Sequence, residues 1–296
     1  MRETHIIKFL YYTNYRMEKC IIFYGYHEQW DPIYRKKSIK DKLINFIKKI
    51  KIINDINSLK YFLNNDGKNY KNYILPTLVE HIIELKNFAI NSLFNVDSTI
   101  LDVLCNKKKF SDYVISQNLI EYSPKIYDKL CDRNNNQLVV LKPPYSYYSV
   151  GVYTKNISEV NDDEFDNFSI QEYIKHRKEY AGYFVSYKGF VTHAFAYVSK
   201  YPSDTFIKHA GGICDGIPQK RLDLPIKVIK IVEKFLRPAS FTGTCCFDFK
   251  IVDGKMKVFE INPRLGGSLK IPENEDDFIT IIKKLIEIYD LRNVYN

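Results

Sequence analysis

A chain of 296 residues can bury a sizeable core, and its length suggests about two domains. The formal charge of +9 at pH 7 favours anionic partners, but no basic run is long enough for a nucleic-acid tail, so nucleic acid is not expected as a partner. Six cysteines without metal spacing, no signal peptide and no membrane-length apolar run argue against disulfide scaffolds and membrane proteins, and a reduced, cytoplasmic setting is expected.

In chain order, residues 1–104 alternate between strand-like and helix-like segments. Residues 20–26 read as a buried strand, residues 38–51 as an amphipathic helix, 51–53 as a short strand, and a further helix starts at Ser58. Residues 73–76 form another strand stopped by Pro76, after which Thr77 and Glu80 have the spacing of a capping box. This βαβα order predicts a parallel sheet with flanking helices. No G-x-G-x-x-G occurs, so a dinucleotide site is not expected. His5, His27, Glu28 and Trp30 are read as ordinary surface or core residues.

Residues 98–117 read as helix and contain Lys107. Residues 138–143 form an apolar strand ending in Lys142-Pro143, where a lysine beside a loop can set its ammonium on phosphate oxygens. The loop 143–152 follows, with Ser146, Ser149 and Gly151. A strand over 168–174 carries Glu172, Tyr173 and Ile174, and Glu179 stands seven residues beyond Glu172. A hairpin over 183–199 turns at Lys188-Gly189. His209 and Arg221 follow, then an amphipathic helix over 224–235 and, at the end, a helix over 276–289 that closes the fold.

The densest signal is the stretch 247–264, two strands joined at Asp253-Gly254. Phe247, Phe249 and Ile251 alternate with Cys246, Asp248 and Lys250, and Phe259 and Ile261 alternate with Val258, Glu260 and Asn262. A two-residue loop would split the apolar set between faces. A three-residue loop closed by Ile251 and Lys255 is therefore expected, with Gly254 left-handed. Asp248, Glu260 and Asn262 then share a face, next to Arg264. Two carboxylates and an amide oxygen suit Mg²⁺ held jointly with nucleotide phosphates, and Arg264 can fork onto a phosphate oxygen.

Asp248 together with Glu260-Ile261-Asn262-Pro263-Arg264 resembles the metal-binding end of the ATP-grasp superfamily, which includes carbamoyl-phosphate synthetase, biotin carboxylase and D-alanine–D-alanine ligase. Five elements agree with it in order over residues 100–268: Lys107, Lys142 with its loop, Glu172 to Glu179, Asp248, and the 260–264 motif. The resemblance implies an α/β and α+β architecture, with a Rossmann-like domain over residues 1–104 and an ATP-grasp domain over 105–296 whose lid spans about 137–180. It further implies that Lys107 and Lys142 reach the nucleotide phosphates under a loop carrying Ser149 and Gly151. Glu172 would meet the adenine amine, Tyr173 and Ile174 the ring edge through their backbone, and Glu179 the ribose. His209 would stand near the transferred phosphate, with Arg264 and Lys142 as its catalytic companions, and Asp248, Glu260 and Asn262 would hold Mg²⁺, for which Mn²⁺ can substitute. The loop departs from the pattern, since relatives use several glycines where only Gly151 stands here. The implied activity is an ATP-dependent carboxylate–amine or carboxylate–thiol ligase working through an acyl phosphate on small-molecule substrates, with a homodimer as an open partner. The alternatives left standing are a kinase of a small polyol or phosphorylated substrate, and a nucleotide-binding regulator without turnover.

Overall fold

The computed structural model describes residues 17–128, 136–146, 149–204 and 219–295. The chain divides into two compact units, one formed by the described residues of Met1–Asn95 and Leu269–Asn296, the other by those of Val96–Ser268.

The first unit is built on three parallel strands, β1 (Glu18–Tyr24), β2 (Lys49–Ile53) and β3 (Tyr70–Pro76), in the order β2-β1-β3. The central strand is buried on both faces, as its unbroken apolar run Ile21-Ile22-Phe23-Tyr24 requires. On one face Cys20, Ile22 and Tyr24 pack with Leu59, Phe62 and Leu85. On the other, Phe23 stacks on Tyr34 at 4.2 Å, and Trp30 joins them as a core residue. The helix Glu275–Tyr295 lays Phe278 against the same rings. The division therefore differs from the expected one: the boundary falls at Asn95/Val96, and the last helix belongs with the first unit. The reason is apolar complementarity, since Phe278 finds its partners in Phe23, Trp30 and Tyr34.

The expected capping box after β3 does not form. Thr77 is buried and its hydroxyl donates to the carbonyls of Tyr24 (2.9 Å) and Gly25 (3.0 Å). The helix starts at Val79, and the His81 ring accepts from the Leu78 N–H instead.

The second unit holds two antiparallel sheets. The smaller contains β4 (Ile126–Tyr127), β5 (Leu138–Lys142), β6 (Tyr153–Asn156) and β7 (Ser169–Glu172), in the order β4-β7-β5-β6. It has its own apolar core of Val139, Leu141, Ile157, Phe165 and Ile170. The larger contains β8 (Lys178–Tyr187), β9 (Phe190–Lys200), β10 (Gln219–Asp223), β11 (Gly243–Val252) and β12 (Lys255–Asn262), in the order β10-β9-β8-β11-β12. The helix Ile226–Leu236 packs behind it, with Phe235 edge-on to Phe247 and stacked with Phe110. The helical stretch 98–117 is two helices broken at Asn106, whose side chain accepts from the N–H groups of Lys108 and Lys109. That cap puts Lys107 at the first position of the second helix. Among the described residues no helix is long and apolar enough to cross a membrane.

Candidate active site

The hairpin β11–β12 turns on two residues, Asp253 and Gly254, with φ of 50° and 72° and the pair Val252–Lys255 closing it. The expected three-residue loop is therefore corrected: two left-handed residues match the strand twist. The parity step lies farther in. Asp248 pairs with Glu260 but Phe249 with Val258, so Phe259 is the extra residue of a β-bulge. The bulge turns Asp248, Glu260 and Asn262 to one face, and it brings Phe259 into a cavity of about 330 Å³ rather than into the core.

Within that cavity the Asn262 side-chain amide donates to Glu260 (3.0 Å) and Asp248 (3.3 Å). Lys107, only 5% exposed, pairs with Glu260 at 3.0 Å. Lys142 donates to Gln171 Oε1 at 2.8 Å and to the Phe259 carbonyl at 3.3 Å. Burial alone would neutralise these groups. For Glu260 burial pushes the carboxyl up, but Lys107 and Lys142 reverse this and hold it well below the usual range. For Lys107 burial pulls the ammonium down, and Glu260 more than restores it. For Lys142 burial wins, and its pKa falls to about 8 despite Glu260. Arg264 lines the same cavity, with Nη1 donating to the Leu265 carbonyl. Burial, then Asp248, pushes the Cys246 thiol far up, so it is no nucleophile.

At the linker end Glu172, Tyr173 and Ile174 all line the cavity. Gln171 and Glu172 are adjacent on β7 and point to opposite faces. The Glu172 carboxylate accepts from the Lys125 N–H at 3.3 Å, while Gln171, 2% exposed, is the one holding Lys142. The Tyr173 N–H donates to the Leu138 carbonyl, and the Ile174 carbonyl accepts from Lys250 at 3.0 Å. Glu179 lines the cavity and accepts from the Tyr201 hydroxyl at 3.4 Å. Ser149 lines it with a left-handed backbone (φ 60°); Gly151 (φ 73°) backs onto Pro143 and does not. Arg221 pairs with Asp223. His5 and His209 lie outside the described residues.

Sequence reasoning passed over Gln171, Lys250 and Tyr183, all of which line the cavity. For Lys250 the signal was present, because it stands two residues from Asp248 on the same strand and so faces the same way. For Gln171 there was none, since a four-residue strand does not declare its faces.

Among the described residues no group of three or more His, Cys, Asp or Glu side chains is placed to hold a metal ion. The oxygen set here is two carboxylates and one amide.

No family model matches the sequence, and no similar curated protein was found. Among solved structures the chain is similar to D-alanine–D-alanine ligase from Bacillus anthracis complexed with ATP, at 16% identity and a TM-score of 0.58, covering 95% of this chain and 99% of that one. It is similar also to L-amino acid ligase from Bacillus licheniformis, at 12% identity and a TM-score of 0.55, covering 86% and 69%. A third is the biotin carboxylase–βγ-ATP complex from Campylobacter jejuni, at 12% identity and a TM-score of 0.51, covering 92% and 72%. All three are ATP-grasp enzymes, and the bulged hairpin, the two antiparallel sheets and the cavity they frame belong to a chain with the ATP-grasp fold.

Proposed function

We propose that this chain is an ADP-forming, Mg²⁺-dependent ligase that joins a carboxylate to an amine (or thiol) through an acyl phosphate. The observation that carries this reading is the convergence of Asp248, Glu260, Asn262 and Lys142 in one cavity, with buried Lys107 paired to Glu260. So many charges are buried together at a cost, and sites that keep them commonly use them.

Asp248, Glu260 and Asn262 would hold Mg²⁺, and the donor set fits: two carboxylates and an amide are hard oxygen ligands that leave positions for phosphate oxygens. Asn262 now turns its NH₂ toward both carboxylates, so rotation of the amide would present Oδ1 instead. Bound there, the ion would neutralise phosphate charge. Lys107, Lys142 and Arg264 would stabilise the terminal phosphoryl group as its charge redistributes. Tyr173, Ile174 and Phe259 would frame the base, with Glu179 on the ribose hydroxyls. Glu172 lines the cavity and accepts from the Lys125 N–H through Oε2, which would leave Oε1 to meet an exocyclic amine. In balance, a carboxylate oxygen bonds to the γ-phosphorus as ADP leaves; the amine then bonds to the acyl carbon as phosphate leaves.

The test is ADP and phosphate release with a panel of carboxylates and amines. The reading expects both products in equal amounts, with Mg²⁺, and only when both substrates are supplied. ADP formed with a polyol whose product retains the phosphate would overturn it in favour of a kinase, and Mg·ATP binding without ADP under any condition would leave a regulator.

A further inference from the structure

Strands β8, β9 and β10 show one set of side chains to the Asp248–Glu260 cavity and the alternate set to the other side of the sheet. Glu179, Ser199 and Gln219 form a row across the three strands and line the cavity. Their chain neighbours Lys178, Lys200 and Lys220 therefore point the opposite way. With Tyr180, Val198 and Leu222 these lysines line a second hollow, of about 320 Å³.

The register crowds positive charge there. Lys178 stands directly opposite Lys200, and Lys220 stands opposite Val198, on the diagonal to Lys200. Directly opposed side chains lie roughly 5 Å apart and diagonal ones about 7–8 Å, so like charges placed this way repel. All three lysines are exposed, and no ammonium among them has an ion pair or hydrogen bond with the described residues. This side of β8, β9 and β10 carries no carboxylate: the next row is Gly182, Ala196 and Leu222. The Arg221–Asp223 pair alternates with Lys220 and Leu222, and so shares the side of Gln219. The walls are apolar, and the Tyr180 ring is fixed by stacking on Phe249 at 5.1 Å. Beside such walls the effective dielectric is lower than in open water, which strengthens the pull on an anion.

We propose that Lys178, Lys200 and Lys220 form a second anion site, on the side of the sheet away from the Asp248–Glu260 cavity, for a compact phosphorylated small molecule with at least two negative charges. An anion seated among the three ammonium groups replaces their repulsion with attraction. Three point charges within one strand repeat suit the oxygens of one small polyanion, and lysine accepts a phosphoryl group in any orientation. A nucleic-acid strand would need a longer track of charge. The site stands whether or not the cavity holds a nucleotide.

The experiment titrates inorganic pyrophosphate calorimetrically into the full chain in two arms. One holds saturating Mg·ADP, which fills the first cavity; the other uses Lys142→Met without nucleotide, which weakens it. Saturable binding is expected in both. Lys178→Gln, Lys200→Gln and Lys220→Gln should each weaken it about threefold, and the triple variant at least tenfold. A charge-matched triple, Lys37→Gln with Lys40→Gln and Lys68→Gln, removes three exposed lysines of the first unit and should change it by less than about twofold. Mg·ADP affinity should stay within about twofold in both triples. Equal weakening by the two triples would mark general attraction to net charge and overturn the proposal. So would absence of pyrophosphate binding in both arms. A single-stranded oligonucleotide that binds more tightly than pyrophosphate, and loses that advantage in the Lys178/Lys200/Lys220 triple, would overturn it in favour of a nucleic-acid surface. Should Mg·ADP fail to bind, the nucleotide reading falls, and the Lys142→Met arm alone decides this site.

Discussion

At the hairpin end of the cavity the side chains named from sequence meet one another: Asn262 bridges Asp248 and Glu260, and Glu260 takes Lys107. At the linker end they do not. Glu172 is engaged with the Lys125 N–H, the Tyr173 N–H with Leu138, and the Ile174 carbonyl with Lys250. The hairpin end is held by ion pairs between side chains, and a change there removes charge from a buried network. The linker end is held by strand pairing and backbone contacts, so many side-chain changes there leave the frame standing. The contrast predicts a gradient of effects from one end to the other.

The largest effect belongs to Glu260. Glu260→Gln removes the carboxylate that Lys107 and Lys142 both feel, and leaves Lys107 buried without its partner. ADP formation should fall on the order of 10³-fold, and breaking a buried pair should lower the melting temperature by several degrees. Retained turnover would sever the hairpin from the chemistry and dissolve the contrast.

Lys142 comes next. Lys142→Met should reduce turnover about 10²-fold with a smaller stability loss, because relief of a buried ammonium offsets the Gln171 Oε1 left without its donor. The pKa near 8 adds a pH signature: above it the ammonium is lost, so Mg·ADP binding should weaken as pH rises through about 8. Lys142→Arg, charged throughout, should hold its affinity there. The stability consequence has the opposite sign. A lysine depressed in the folded state binds fewer protons than in the unfolded state between about 8 and its ordinary 10.5. Its contribution therefore rises with pH across that window, and is lost as pH falls through 8. Nucleotide affinity that stays flat from pH 7 to 9.5 would place Lys142 away from the phosphates.

What was legible follows the same division. The alternation of Asp248 and Lys250, and of Glu260 and Asn262, is a property of strands that any register preserves, so the shared face could be read directly. The Asp253-Gly254 turn was legible as well. The bulge at Phe259 was not, because nothing local marks which residue the ladder skips; packing chooses between spacing the turn and spacing the strand. Lys107 lay in a recognisable helix, but its burial depends on the Asn106 break and on Glu260, which is 153 residues away in the chain. The parallel sheet of the first unit could be inferred from its βαβα order. The last helix was equally visible as a helix, yet its amphipathic pattern names no partner, and Phe278 packs with residues from the opposite end of the sequence.

A smaller effect is expected at Gln171, where the two ends touch. Its Oε1 is the side-chain acceptor that holds the Lys142 ammonium, so Gln171→Leu should lower nucleotide affinity about five- to tenfold, the worth of one hydrogen bond to a charged group. The alkaline weakening should shift to lower pH, since an ammonium without its acceptor is harder to keep charged. An unchanged pH profile would mean that Lys142 is steadied by the Phe259 carbonyl alone.

The smallest effect is expected at Glu172, and it separates the linker end from the hairpin end most sharply. In Glu172→Gln the amide oxygen can still accept from the Lys125 N–H, and the β5–β7 pairing is untouched. Mg·ADP affinity should therefore change by less than about threefold, within the range of a neutral replacement at one hydrogen bond. A tenfold loss would mean that the carboxylate, which lines the cavity, contacts the bound nucleotide. The two outcomes are told apart by comparing ADP with IDP, which carries an oxygen where adenine carries an amine. A carboxylate that reads the amine disfavours IDP in wild type, and loses that preference in the variant. A carboxylate that stays on Lys125 gives wild type and variant the same ratio, and leaves base selection to backbone and rings.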